Sequence, residues 1–135
     1  MARIDEALFE RLSENATLAA LIDTRVYPGL APQAGPWPAV VYTRITGSRE
    51  SAFSEDMGLA HGTFQFDAWA VKYTEARAVA DAVLGALKRA DFTSAGGVVV
   101  LDALLESERD IAEPEAKLYR VSLDLIVWWR TGTGD

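Results

Sequence analysis

An α+β fold, with helices packed on one face of a mostly antiparallel sheet of about four strands, is predicted by three observations on this 135-residue chain. Two segments of helical period open it, four segments of strand period follow in an order that leaves two hairpins, and one strongly amphipathic helix separates those hairpins. The order α-α-β-β-α-β-β places residues 1–130 in a single α+β domain, and 131–135 form a flexible tail expected to fray.

From Arg3 to Glu14, Ile4, Leu8 and Leu12 recur every fourth residue among Asp5, Glu6, Glu10 and Arg11, which predicts an amphipathic helix. Asn15 is the N-cap expected for a second helix, Ala16 to Ile22, with Leu18, Leu21 and Ile22 as its apolar stripe. The stretch from Arg25 to Pro38 holds four of the five prolines and reads as an ordered connector. A first strand is expected over Ala39 to Thr46, its facing ambiguous, and a long loop over Gly47 to Gly62 that folds back or reaches a neighbour.

The second strand, Thr63 to Tyr73, puts Phe64, Phe66, Ala68 and Ala70 on a core face and Gln65, Asp67, Trp69 and Val71 on the other. Thr74 is the expected N-cap of a helix over Glu75 to Arg89, with Ala76, Val79, Ala80, Val83 and Leu87 inside and Lys88 and Arg89 in its last turn. A third strand, Val98 to Glu106, an acidic loop, Ser107 to Lys117, and a closing strand, Leu118 to Arg130, complete the chain. In the closing strand Tyr119, Val121, Leu123, Leu125, Val127 and Trp129 form the core face. The opposite face begins polar and ends in Ile126 and Trp128, which a two-layer domain leaves partly wet, so a second protein surface is expected there.

Composition narrows the functions. A net charge of −7, from 20 acidic and 13 basic residues, repels a phosphate backbone and argues against autonomous nucleic-acid binding. No apolar run reaches the ~18–20 residues of a membrane span, and the N-terminal Met-Ala-Arg-Ile-Asp-Glu lacks the layout of a secretion signal, so the chain reads as made in the cytoplasm with no membrane partner. Without cysteine there is no disulfide, thiolate zinc site or cysteine nucleophile.

His61 is the only histidine; it lacks a nucleophile elbow elsewhere in the chain and reads as a solvated loop residue. Glu106, Glu108, Asp110, Glu113 and Glu115 lack calcium-loop spacing, and Arg109 and Lys117 intrude, so they read as a charged loop that meets a partner or lines a channel. Asp67 and Asp124 share a sheet face, yet such carboxylate pairs arise readily in an acidic chain. No catalytic, cofactor or metal residue is assigned. Trp69, Ile126 and Trp128 are candidates for a subunit interface if their strands are neighbours, the alternative being that the extra helix or the proline segment, with Trp37, covers them.

The succession Glu6-Ala7-Leu8-Phe9-Glu10-Arg11-Leu12, Arg25-Val26-Tyr27-Pro28, Ala31-Pro32-Gln33, Pro38-Ala39-Val40-Val41-Tyr42, Phe64-Gln65-Phe66-Asp67-Ala68-Trp69, Tyr73 with Glu75-Ala76-Arg77, Leu118-Tyr119-Arg120 and Asp124 with Val127-Trp128 resembles the tail-completion family. These are the tail terminator, or head–tail joining, proteins of long-tailed bacteriophages, prophages and gene transfer agents. The resemblance implies a non-enzymatic structural virion protein without cofactor, assembled in the bacterial host cytoplasm. It implies a ring, commonly a hexamer, that caps the tail tube at the head-proximal end of the tail and docks the head connector or adaptor protein, with DNA passing through the lumen without specific binding. Ring closure needs two unlike patches. One is assigned to Trp69, Ile126 and Trp128, the other to Arg44 with Arg49, Phe53 and Met57, and the acidic Glu106–Glu115 segment to the channel or tube. The competing readings are a small-ligand-binding or regulatory α+β module and a hydrolase centred on His61.

Overall fold

The computed structural model describes residues 3–48 and 59–130. Helices α1 (Ile4–Glu14) and α2 (Ala16–Ile22) precede strands β1 (Val26–Pro28), β2 (Ala39–Ser48) and β3 (Leu59–Ala70). Helix α3 (Tyr73–Leu87) then leads to strands β4 (Phe92–Thr93), β5 (Val99–Glu113) and β6 (Leu118–Arg130). The α+β class holds, but the sheet is mixed and six-stranded, in the order β1-β2-β3-β6-β5-β4, not four-stranded. The added strands are its edges: β1 runs parallel to β2, inside the expected connector, and β4 pairs with β5 through two residues only. Segments this short carry no readable period, and their conformation is set by the strand beside them.

Three boundaries also move. The expected loop over 47–62 shrinks, because β2 continues to Ser48 and β3 begins at Leu59, which puts His61 inside a strand. The expected acidic loop over 107–117 is largely strand: β5 runs to Glu113, and only Pro114 to Lys117 turn. Helix α3 starts at Tyr73, with Lys72 rather than Thr74 at its N-cap, and ends at Leu87, so Lys88 and Arg89 lie beyond it and Val71 lies outside β3. Asn15 does cap α2, its Oδ1 accepting from the Leu18 N–H at 2.9 Å.

Side-chain alternation builds the core. Val40, Tyr42, Phe64, Phe66, Ala68, Ala70, Val121, Leu123, Leu125, Val127 and Trp129 point to one face of the sheet and are buried beneath Ile4, Leu8, Leu12, Leu18, Ile22, Val79, Val83 and Leu87 of the helices. Ala68 and Ala70 of β3 and Ala76 and Ala80 of α3 are all buried in the core, and their small side chains suit the close approach of α3 to that strand. Phe64 and Trp129 pack edge to face, their centroids 6.2 Å apart. Tyr119 keeps the core side by register but lies beyond the core: it is 41% exposed near the start of β6 and packs on Tyr73.

Candidate interaction surface

Among the described residues the opposite face of the sheet carries no helix, and its middle is a polar mesh. Register sets Gln65 across from Asp124, Asp67 from Ser122, and Arg109 from Ser122 on the other side. Gln65 Nε2 donates to Asp67 Oδ2 at 2.9 Å, Ser107 Oγ to Asp124 Oδ2 at 2.9 Å, and Arg109 Nη2 to Ser122 Oγ at 3.1 Å. Arg120 donates twice to Glu113 Oε2, at 3.2 and 2.8 Å, and lies 3.6 Å from Asp67 Oδ1. Asp67 and Asp124 are thus held by structural partners, and among the described residues no group of three histidines, aspartates or glutamates is placed to hold a metal ion.

Aromatic residues flank this mesh at both ends. Trp69 lies opposite Arg120 and Trp128 opposite His61, so β3 and β6 are neighbours yet hold the two tryptophans roughly 26 Å apart, at about 3.3 Å per residue. They do not form one patch. Trp69 packs against Trp37 of the proline segment, with centroids 6.2 Å apart, and the Arg120 guanidinium sits 5.2 Å over its ring. Trp128 packs against His61 at 6.4 Å, with Ile126 beside it on the same face. Trp69, Ile126 and Trp128 all remain partly exposed.

Leaning over β2 and β3, the proline segment closes a groove of about 270 Å³ that the sequence did not disclose, lined by Leu30, Trp37, Val41, Asp67, Trp69 and Leu118 among others. Gly35 makes this possible. Its φ is +84°, and a Cβ there would stand 3.0 Å from the Trp37 ring. The only prior signal was the cluster of prolines around Trp37, which marks an ordered connector without saying what it covers.

Arg44 projects from the other face. It lies opposite Phe64, near the start of α1, with its guanidinium 5.3 Å from the Phe64 ring and 5.7 Å from that of Trp129. A bulge follows it, leaving Ile45 half-exposed. Arg49, Phe53 and Met57, assigned to the same patch, lie outside the described residues.

Two bulges in β5, after Val100 and after Leu105, redistribute its acids over both faces. Glu108 and Asp110 turn to the helix side, where Arg77 of α3 meets them at 2.6 and 3.1 Å and the Tyr73 hydroxyl donates to Asp110 at 2.8 Å. These acids hold the Arg77 guanidinium above its ordinary pKa, chiefly through the hydrogen bond to Glu108. Glu113 pairs with Arg120 on the open face, whereas exposed Glu106 and Glu115 have no cationic partner among the described residues.

Known proteins share this arrangement. The chain matches the family described as tail completion protein gp17 over residues 6–130. It is similar in structure to a chain of the native gene transfer agent virion particle, with a TM-score of 0.71, 25% identity and 94% of each chain covered. No curated protein matches it in sequence. With the match running through every described element from α1 to β6, the chain belongs to the tail completion protein gp17 family of structural phage-tail proteins.

Proposed function

We propose that this chain is the tail completion protein of a phage, prophage or gene transfer agent. Its copies close into a ring, six by family resemblance, at the head-proximal end of the tail tube, where the ring ends tube polymerisation and docks the head connector. The observation that carries this reading is the sheet face that no described helix covers, which keeps Trp69 at one end and Ile126 with Trp128 at the other partly exposed in a protein related to a component of a virion. Arg44, on the opposite face, supplies the second, unlike patch that a ring requires, with Arg49, Phe53 and Met57 as its continuation. Glu106 and Glu115 face the lumen or the tube, where their charge lets DNA slide without sticking.

Light scattering tests this. A species near six times the protomer mass is expected, reached in a concentration-dependent way. Trp128→Glu should return it to a monomer while lowering stability by less than about 1 kcal/mol, as expected for a substitution at a partly exposed position. A stable dimer would favour a second reading suggested by the groove, a small-ligand-binding module, which would then show a ligand-dependent melting temperature.

A further inference from the structure

The groove on the open face has a charged floor. Asp67 is only 6% exposed; its Oδ2 accepts from Gln65, but its Oδ1 is buried without a hydrogen bond. The nearest cation, Arg120 Nη1 at 3.6 Å, belongs to a guanidinium that spends two donors on Glu113. One cation therefore serves two carboxylates, and the groove floor keeps a net negative charge in surroundings that screen it poorly. Above the floor stand the Trp37 and Trp69 indoles. Ring faces and an under-satisfied carboxylate attract the same kind of group, a planar cation that stacks on the indole while donating to the oxygen.

We propose that the groove receives an arginine side chain from a second copy of this chain, and that the arginine is Arg44. Three observations select it. Arg44 is exposed and has no carboxylate partner among the described residues; Arg130 is the other arginine of which this holds, without bonds to backbone or side chains there. Its guanidinium already rests on Phe64 and Trp129, so less side-chain freedom is lost when a partner captures it. It projects from the helix side of β2, whereas the groove opens on the opposite face, lined by Val41 and Thr43 of that strand. Contact between these two patches is heterologous and propagates from copy to copy, which deepens the ring reading above and rests on it.

Two experiments separate the groove from the ring. In an Arg44→Gln background, which leaves the groove unfilled in any assembly state, N-acetylarginine amide should shift the indole N–H resonances of Trp37 and Trp69. N-acetylcitrulline amide, nearly isosteric but neutral, should bind at least about tenfold more weakly, and Asp67→Asn should remove the difference. Equal binding of the two amides, or none of either, overturns the groove's preference for a cation.

Light scattering of the wild type, Arg44→Gln, Asp67→Asn and the double variant then identifies the source. Each single variant should weaken assembly about tenfold or more, and the double should be no worse than the weaker single. A ring whose mass is indifferent to Asp67→Asn overturns the pairing and leaves the ring standing. Additive losses overturn Arg44 and point to Arg130. A wild type that is monomeric at every concentration overturns the second copy as source, while the amide titration still decides what the groove binds.

Discussion

The two faces of the sheet are made by the same strands and obey opposite rules. On the helix side, Phe64, Phe66, Val121, Leu123, Leu125, Val127 and Trp129 are buried to 2% exposure or less, and their burial drives folding. On the open side the alternate residues, Gln65, Asp67, Arg120, Ser122 and Asp124, bond to one another or to Ser107, Arg109 and Glu113 of β5, while the apolar side chains are held at the two ends. A polar mesh in the middle satisfies most of the groups that water only partly reaches, Asp67 Oδ1 and Asp124 Oδ1 excepted, and keeps the face from being one continuous apolar patch. Its ends stay available for contact. The comparison separates residues that make the fold from residues that the fold presents.

The largest break in that comparison is Trp129→Ala. It removes the buried ring packed on Phe64 on the covered face and should cost about 3–5 kcal/mol in denaturant unfolding. A loss no greater than that of Trp128→Glu, one residue away on the opposite face, would abolish the distinction.

Arg77→Ala sharpens it at the margin of the covered face, where α3 is tied to β5 by charge. Removing the cation leaves Glu108 and Asp110 facing each other unneutralised, and about 1–2 kcal/mol should be lost, less in high salt. A salt-independent loss would mean that packing of the arginine stem, rather than its charge, makes the tie.

Gly35→Ala acts on the open face alone. It forces a Cβ onto Trp37 at a positive φ and should cost about 1 kcal/mol, with a change in tryptophan emission as the Trp37–Trp69 pair separates. The unfolding slope should stay unchanged, because the core is untouched.

The smallest effect is on proton binding. Burial, with help from Asp5 and Glu6, raises the Tyr42 phenol above its ordinary 10.0, and the hydrogen bond to Asp110 raises that of exposed Tyr73. Phenols raised by folding stabilise the protein fully below the unfolded value and lose that contribution as pH climbs through the folded values. Stability should therefore decline above pH about 10. Tyr73→Phe should remove one late-titrating phenolate from the ultraviolet absorbance titration, and loss of a phenolate that titrates with the ordinary ones would show that the bond to Asp110 does not persist in solution.

Much of this was legible in the residues. The three helices among the described residues, the phenylalanine face of β3 and the Val121–Trp129 face of β6 followed from period alone, because a side chain's direction depends on its place in the local backbone and burial follows the apolar ones. The acidic half of β5 was not legible as strand. Glu106 to Glu113 has the composition of a solvated loop, and it is extended because β6 completes its backbone hydrogen bonds while Arg77, Tyr73 and Arg120 answer its charges. The groove was equally hidden, since Trp37 and Trp69 are brought together only by the path of the proline segment.

The sequence by itself determined the helices α1 to α3, the apolar stretches of the long strands and which side of β3 and β6 is apolar. The tertiary structure decided the strand order, the short edge strands β1 and β4, the bulges that split the β5 acids between two faces, and the register that sets Trp69 and Trp128 at opposite ends of the sheet. The reason is one of range. Periodicity is written within a few consecutive residues, whereas register and order arise from backbone hydrogen bonds between segments far apart in the chain, and a shift of one residue in such pairing reverses every face.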